Sequence, residues 1–169
     1  MKNENQITVN MENLSNEERE QLLKLVKKSN ETTKKRWRAE DEEDYYFIDY
    51  CNRIDFWKES NYKTDKGLYE IGNYFKTEEE AEFELQKRLA YQELKDYALE
   101  HNEMDIDWEN DEQFKWRICY DTEEKYFPIT YSISWKEIGQ IYFTSEKIAR
   151  DAVKAVGENR IKKYLFGVN

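Results

Sequence analysis

Apolar positions along this chain fall into two alternating kinds of segment: short aromatic runs with the two-residue period of a half-buried strand, and longer runs with helical spacing. The aromatic runs predict strands at 45–50, 54–58 and 69–75, with a polar turn at 60–67, and again at 114–120, 125–135 and 139–143. Pro128 lies inside the fifth run and has no amide to donate, so that strand should be an edge or be broken by a bulge. Gly72 and Gly139 each stand alone in a strand-like run and read as bulges or tight packing positions. Helix starts are marked by Ser15 with Glu18 and by Thr77 with Glu80, the reciprocal capping pattern, and by Ser145. Leu22, Leu25 and Val26 make the stripe of the first helix, a face that should pack on something. Ala81, Leu85 and Leu89, continued by Ala90, Leu94, Tyr97 and Ala98, make that of the second. Ala149, Ala152, Val153 and Val156 form the third stripe, closed by Gly157, and Ile161, Tyr164 and Leu165 share one side of a last helical segment. A short strand at 7–11 precedes all of these, and a basic, polar segment at 29–38 links the first helix to the first aromatic strand.

The order of these elements is written twice. Tyr69-Glu70-Ile71-Gly72-Asn73-Tyr74-Phe75-Lys76-Thr77-Glu78-Glu79-Glu80-Ala81 is echoed by Lys136-Glu137-Ile138-Gly139-Gln140-Ile141-Tyr142-Phe143-Thr144-Ser145-Glu146-Lys147-Ile148-Ala149. Each copy follows an aromatic strand, Tyr45-Tyr46-Phe47-Ile48-Asp49 and Lys115-Trp116-Arg117-Ile118-Cys119. Two copies are too few for a solenoid. The expected fold is α+β: a duplicated β-β-β-α unit with pseudo-twofold symmetry, antiparallel sheet or sheets covered by helices, and an N-terminal strand-helix. The expected organisation is 1–36 for that strand-helix, 37–102 for repeat one and 103–169 for repeat two, in one compact domain.

Charged residues are as frequent as hydrophobic ones, 38% each, a balance that favours disorder unless other burial compensates. The 13 Tyr, 8 Phe and 5 Trp provide that burial, since each ring covers a large area. With 37 acidic against 27 basic residues the net charge is −10, which opposes binding to phosphate backbones or anionic membranes and fits a partner with a basic surface. The polar start and the absence of any long apolar run predict a cytoplasmic protein without a membrane span. Cys51 and Cys119 form no CxxC pair and read as reduced thiols.

Candidate chemistry is sparse. His101, the single histidine, sits near a helix end where a polar or cationic ring suits the dipole, and no nucleophile motif accompanies it. Asp105-x-Asp107-x-Glu109 opens like a calcium loop, but Asn110 stands where that loop needs glycine and Trp116 where it needs a bidentate glutamate. No phosphate-cradling glycine motif occurs. Catalytic, metal and cofactor residues are therefore expected to be absent. The binding candidates are the acidic connector, Asp105, Asp107, Trp108, Glu109, Asp111 and Glu112, and the run Asp41, Glu42, Glu43 and Asp44. Glu78, Glu79 and Glu80 at a helix start are further candidate acids. Exposed Trp and Tyr are common anchors of protein interfaces; they also stack bases, but single-strand binders pair them with a basic groove that this chain lacks.

The strand-helix start, the strand Tyr45-Tyr46-Phe47-Ile48-Asp49, the run Ile71-Gly72-Asn73-Tyr74-Phe75-Lys76-Thr77-Glu78-Glu79-Glu80-Ala81-Glu82 and the tail from Ile141 through Gly167 resemble a family of small phage and prophage proteins of low-GC Gram-positive bacteria. The resemblance covers most of the chain and carries no catalytic or binding residues. It implies a non-enzymatic, phage-encoded protein that inhibits a host nucleic-acid-processing protein, such as a CRISPR-type defence effector, in the host cytoplasm. The acidic, aromatic-rich surface would bind that host protein, without direct contact to nucleic acid. The alternative is a module that sequesters a nucleotide or another small planar molecule between the repeats.

Overall fold

The computed structural model describes residues 14–31 and 36–168. The strand expected at 7–11 and part of the basic segment lie outside the described residues. The chain divides into two compact units, Met1–Trp37 and Arg38–Asn169. The first holds helix α1 (Asn16–Glu31). Its expected cap forms: the Glu18 carboxylate accepts the Ser15 amide at 2.8 Å, and Ser15 Oγ accepts the Glu18 amide at 3.4 Å. Of the stripe expected to pack, Leu22 is half-buried, while Leu25 and Val26 are exposed.

The second unit is α+β, with helices beside two separate two-stranded antiparallel sheets among the described residues. Strand β1 (Asp44–Ile48) pairs with β2 (Ile54–Lys58) in a register that sets Tyr45 opposite Trp57 and Tyr46 opposite Phe56. The turn between them is wound around Asp49, whose carboxylate accepts the amides of Cys51 at 2.7 Å and Arg53 at 2.8 Å and pairs with the Arg53 guanidinium.

Helix α2 (Lys63–Glu70) comes next, where the pattern predicts a turn at 60–67 and a strand at 69–75. Both expectations are corrected for the same reason. Asp65 caps the helix start by accepting the amides of Ser60 and Tyr62, at 3.1 and 3.0 Å. Its end is closed by bonds from the Gly72 amide to the Tyr69 carbonyl and from the Asn73 amide to the Leu68 carbonyl. That pair of bonds is the Schellman arrangement, and it needs Gly72 at its observed φ of 76°. Gly72 is thus a helix-stop glycine. Gly139, at φ 75°, likewise sits in a turn, so neither glycine is a strand bulge.

What remains of the third strand is a single rung: the Tyr46 and Phe75 backbones exchange both hydrogen bonds at 2.9 Å. Helix α3 (Glu78–His101) then starts at Thr77, whose hydroxyl accepts the Glu80 amide at 3.3 Å. Strands β3 (Lys115–Ile118) and β4 (Ile129–Ser132) form the second hairpin. The run expected at 125–135 is cut to four residues by Pro128 before it and, after it, by the Ser132 hydroxyl, which accepts the Trp135 amide at 2.8 Å. The strand expected at 139–143 is again reduced to one rung, Trp116 with Phe143. Ser145 caps α4 (Glu146–Val156), and Gly157, at φ 100°, joins it to α5 (Glu158–Leu165).

The core lies between α3, α4, α5 and the second hairpin. Phe143, Ile161, Ala90, Ala149 and Ala152 are completely buried there, with Leu94, Ile118, Phe127, Val153 and Val156 around them. Small alanines on α3 and α4 let the helix backbones approach closely, and the two rings fill the space under the hairpin.

Candidate protein-binding surface

The acidic connector runs from the end of α3 to β3 as a chain of turns. Asp107 accepts the Glu109 amide at 2.9 Å, Asn110 accepts the Glu112 amide at 2.9 Å, and the Gln113 side chain ties the Asp107 amide to the Asp105 carbonyl. Asp105, Asp107, Glu109, Asp111 and Glu112 are all exposed. Trp108 is half-buried, edge-on to Tyr142 at 4.9 Å, with the ammonium groups of Lys115 and Lys136 5.5 and 5.6 Å from its ring centre. Lys115 is completely buried and donates to the Asn110 carbonyl at 2.6 Å, so a buried cation anchors the connector from beneath. The other acidic run stands at the entry to β1. Asp41, Glu42, Glu43 and Asp44 are exposed; Glu43 accepts the Glu40 amide at 2.7 Å, and Glu42 faces Lys58 at 4.0 Å.

The densest polar construction is one that residue patterns did not single out. Under the first hairpin, Glu59 receives a two-pronged bond from Arg38, both at 3.0 Å, the Tyr74 hydroxyl at 2.7 Å and the Asn61 amide at 2.8 Å. Beside it, Asp65 accepts the Tyr45 hydroxyl at 2.9 Å and the Ser60 hydroxyl at 3.0 Å. The Tyr45 and Tyr74 rings stack between the two carboxylates at 3.9 Å, nearly parallel. Glu59, Asp65, Tyr45 and Tyr74 are all buried. Burial by itself would raise both carboxyls; the donors aimed at them outweigh it and hold both below the usual carboxylate range. Burial, together with a carboxylate acceptor, pushes both tyrosine hydroxyls well above their ordinary value. Each oxygen in this network has a partner, so the arrangement fixes the shape of this part of the fold.

Above the network the hairpin presents an open groove of about 650 Å³. Its floor and walls are Phe47, Ile48, Trp57, Leu68 and Ile71, with Asp49, Arg53 and Asp55 at the rim. Trp57 is 44% exposed and Ile71 74% exposed. The only sequence sign of this surface is that Phe56 and Trp57 are neighbours, which places a large apolar ring on both faces of one strand. The second hairpin carries a smaller cluster, with the Tyr131 ring 4.6 Å from Phe114 and 5.1 Å from Trp116, and exposed Trp135 and Ile138 beyond it.

A smaller cavity of about 240 Å³ lies between α3, β3 and α5, lined by Leu94, Ile118, Phe143, Ile161 and Leu165, with Lys87 and Tyr91 also on its wall. His101 stacks on Tyr97 at 3.9 Å and bonds its carbonyl. Among the described residues no group of three or more His, Cys, Asp or Glu is arranged to hold a metal ion, and no helix is long and apolar enough to cross a membrane. In comparisons with known proteins, no family model matches the chain, and neither a curated protein nor a solved structure matches it significantly.

Proposed function

We propose that this chain is a non-catalytic binding protein that inhibits a host nucleic-acid-processing protein, a defence effector of the CRISPR type, by occupying part of its surface. The observation that carries the reading is the open apolar groove of Phe47, Ile48, Trp57, Leu68 and Ile71, backed by a fully bonded polar network. Exposed apolar surface of this kind is what a partner protein covers, and a Trp among its lining residues is the usual energetic anchor. The exposed acids at 41–44 and 105–112, with the net charge of −10, support a partner whose own surface is basic. The phage-family resemblance supports the host context. Sequestration of a nucleotide is supported less: the cavity of about 240 Å³ is smaller than most ligand pockets, and no tryptophan lines it.

We also propose that the second unit arose by duplication. The rungs Tyr46–Phe75 and Trp116–Phe143, each succeeded by a hydroxyl-capped helix at Thr77 and Ser145, support this reading.

The test is capture of a host protein from nuclease-treated lysate by the tagged chain, then light scattering on the purified complex. A stoichiometric complex is expected, weakened about thirtyfold by Trp57→Ser, the loss of one anchor of roughly 2 kcal/mol. Undiminished binding by Trp57→Ser would sink the groove, and the absence of any stoichiometric complex would sink the function.

A further inference from the structure

Among the described residues no strand covers the outer edge of β2, whereas the opposite edge of the same hairpin is closed. On β1, Tyr46 pairs its amide and carbonyl with Phe75, while Ile48 donates to the Asn73 side-chain oxygen at 3.0 Å and accepts from its nitrogen at 2.8 Å. The Asn73 carboxamide thus imitates one more strand residue. Because Tyr46 and Ile48 turn their polar groups away from β2, their cross-strand partners Phe56 and Ile54 turn theirs the other way, outward. Lys58, two residues on, does the same. No strand among the described residues pairs with that edge. The Phe56 amide is met only by the neighbouring Asp55 carboxylate at 2.8 Å. Phe56 itself is 56% exposed. Open edges with exposed apolar rings are templates for another strand.

Beside this edge, on the face that carries Ile54, lies a groove of about 480 Å³ lined by Ile54, Phe83 and Tyr164 and by Glu78, Glu79 and Glu82, with Lys163 at one side. The Lys163 ammonium already lies over the Tyr164 ring, 5.0 Å from its centre, so a partner's lysine or arginine stem would lie along the exposed Phe83 ring, 5.2 Å from Tyr164, with its head among the three carboxylates. A second copy of this chain would bring another net charge of −10 to the same place. We propose that β2 accepts an extended, basic segment of a partner protein as an added strand, with alternate lysine or arginine side chains seated in the groove of Glu78, Glu79 and Glu82. This rests on the reading of the chain as a protein-binding module and specifies how the partner is gripped.

The experiment uses the full chain, labelled for amide exchange by NMR, and an end-blocked octapeptide of alternating lysine and valine as the probe. In the free protein the Ile54, Phe56 and Lys58 amides should exchange freely. On adding the peptide they should slow about tenfold or more, with affinity falling as salt rises. Phe56→Pro deletes an outward amide and leaves the β1 ladder intact; it should weaken binding about tenfold, as should the double reversal Glu79→Lys, Glu82→Lys. Amides already protected before the peptide is added, protection that grows with protein concentration, or equal binding of a glutamate-valine peptide would each overturn the proposal. So would a Phe56→Pro protein, folded by its spectrum, that binds the peptide undiminished. If Phe56→Pro still captures the host partner while Trp57→Ser does not, the edge proposal falls and the binding function stands.

Discussion

Glu59 and Asp65 are carboxylates taken out of water and kept ionised by the donors around them, and the stability of the first hairpin depends on that balance. Glu59→Ala removes the acceptor shared by Arg38, Tyr74 and Asn61 and leaves the guanidinium, over Tyr69, with the Asn61 side-chain oxygen at 3.2 Å in place of its ion-pair partner. Breaking a buried pair costs about 3–5 kcal/mol; Arg38 keeps a third of its side chain in water, so about 3 kcal/mol is expected from urea unfolding. Tyr45→Phe removes only one donor to Asp65 and should cost about 1–2 kcal/mol. The same groups set the pH response. Carboxyls held below their usual range stabilise the fold at neutral pH, and that contribution is lost as pH falls through their lowered folded values. Tyrosines raised above 10.0 act with the opposite sign: their contribution is complete below that value and is lost above it, where the unfolded chain ionises first. The urea midpoint should therefore be flat near neutrality and fall at both ends, with Tyr45→Phe softening the alkaline limb. A midpoint that keeps rising above pH 10 would contradict the network.

At the scale of elements, the turn from α2 into the Phe75 rung is where local and long-range demands meet. Gly72 supplies a left-handed backbone that an alanine holds only with strain, so Gly72→Ala should cost about 1 kcal/mol. Gly67, inside α2 with nothing within 4 Å of an added methyl, gives the opposite outcome: Gly67→Ala should stabilise by up to about 1 kcal/mol. Thermal unfolding of the two variants side by side checks the assignment of a helix here. Asn73→Ala would leave the Ile48 amide and carbonyl unpaired inside the protein, at a cost of about 2 kcal/mol or more, and should speed amide exchange at Ile48 while leaving that at Phe143 unchanged. Much of the element pattern was legible: strand 54–58 and the caps at Ser15, Thr77 and Ser145 occur where local chemistry puts them. Helix α2 was not, because Asp65 is a cap only once Ser60 and Tyr62 are folded back onto it, and Tyr69, Ile71 and Phe75 carry the even spacing of a strand face.

For the whole molecule, the net charge of −10 predicts that, on the proposed function, association with a basic partner slows as salt rises. Stopped-flow association at two salt concentrations checks this. Composition and periodicity by themselves determined the α+β class, the three hydroxyl-capped helix starts and the apolar stripes of α3 and α4, because each rests on interactions within a few residues. The candidate surface was another matter. Residue patterns point to the acidic runs because acids are abundant there; those acids are exposed, with Asp107 and Glu43 also holding local turns, while Trp108 is packed against Tyr142 and two lysines. Tyr45 and Trp57 are both aromatics in strands and stand directly opposite one another, but Tyr45 is completely buried and Trp57 is 44% exposed. No local rule separates them. Tyr45 is covered by Tyr74 and bonded to Asp65, residues brought back by the turn of α2, whereas Trp57 stays 44% exposed beside Phe47. Periodicity assigns a side chain to a face of its strand; only the packing of distant segments decides which part of that face is closed and which is left open.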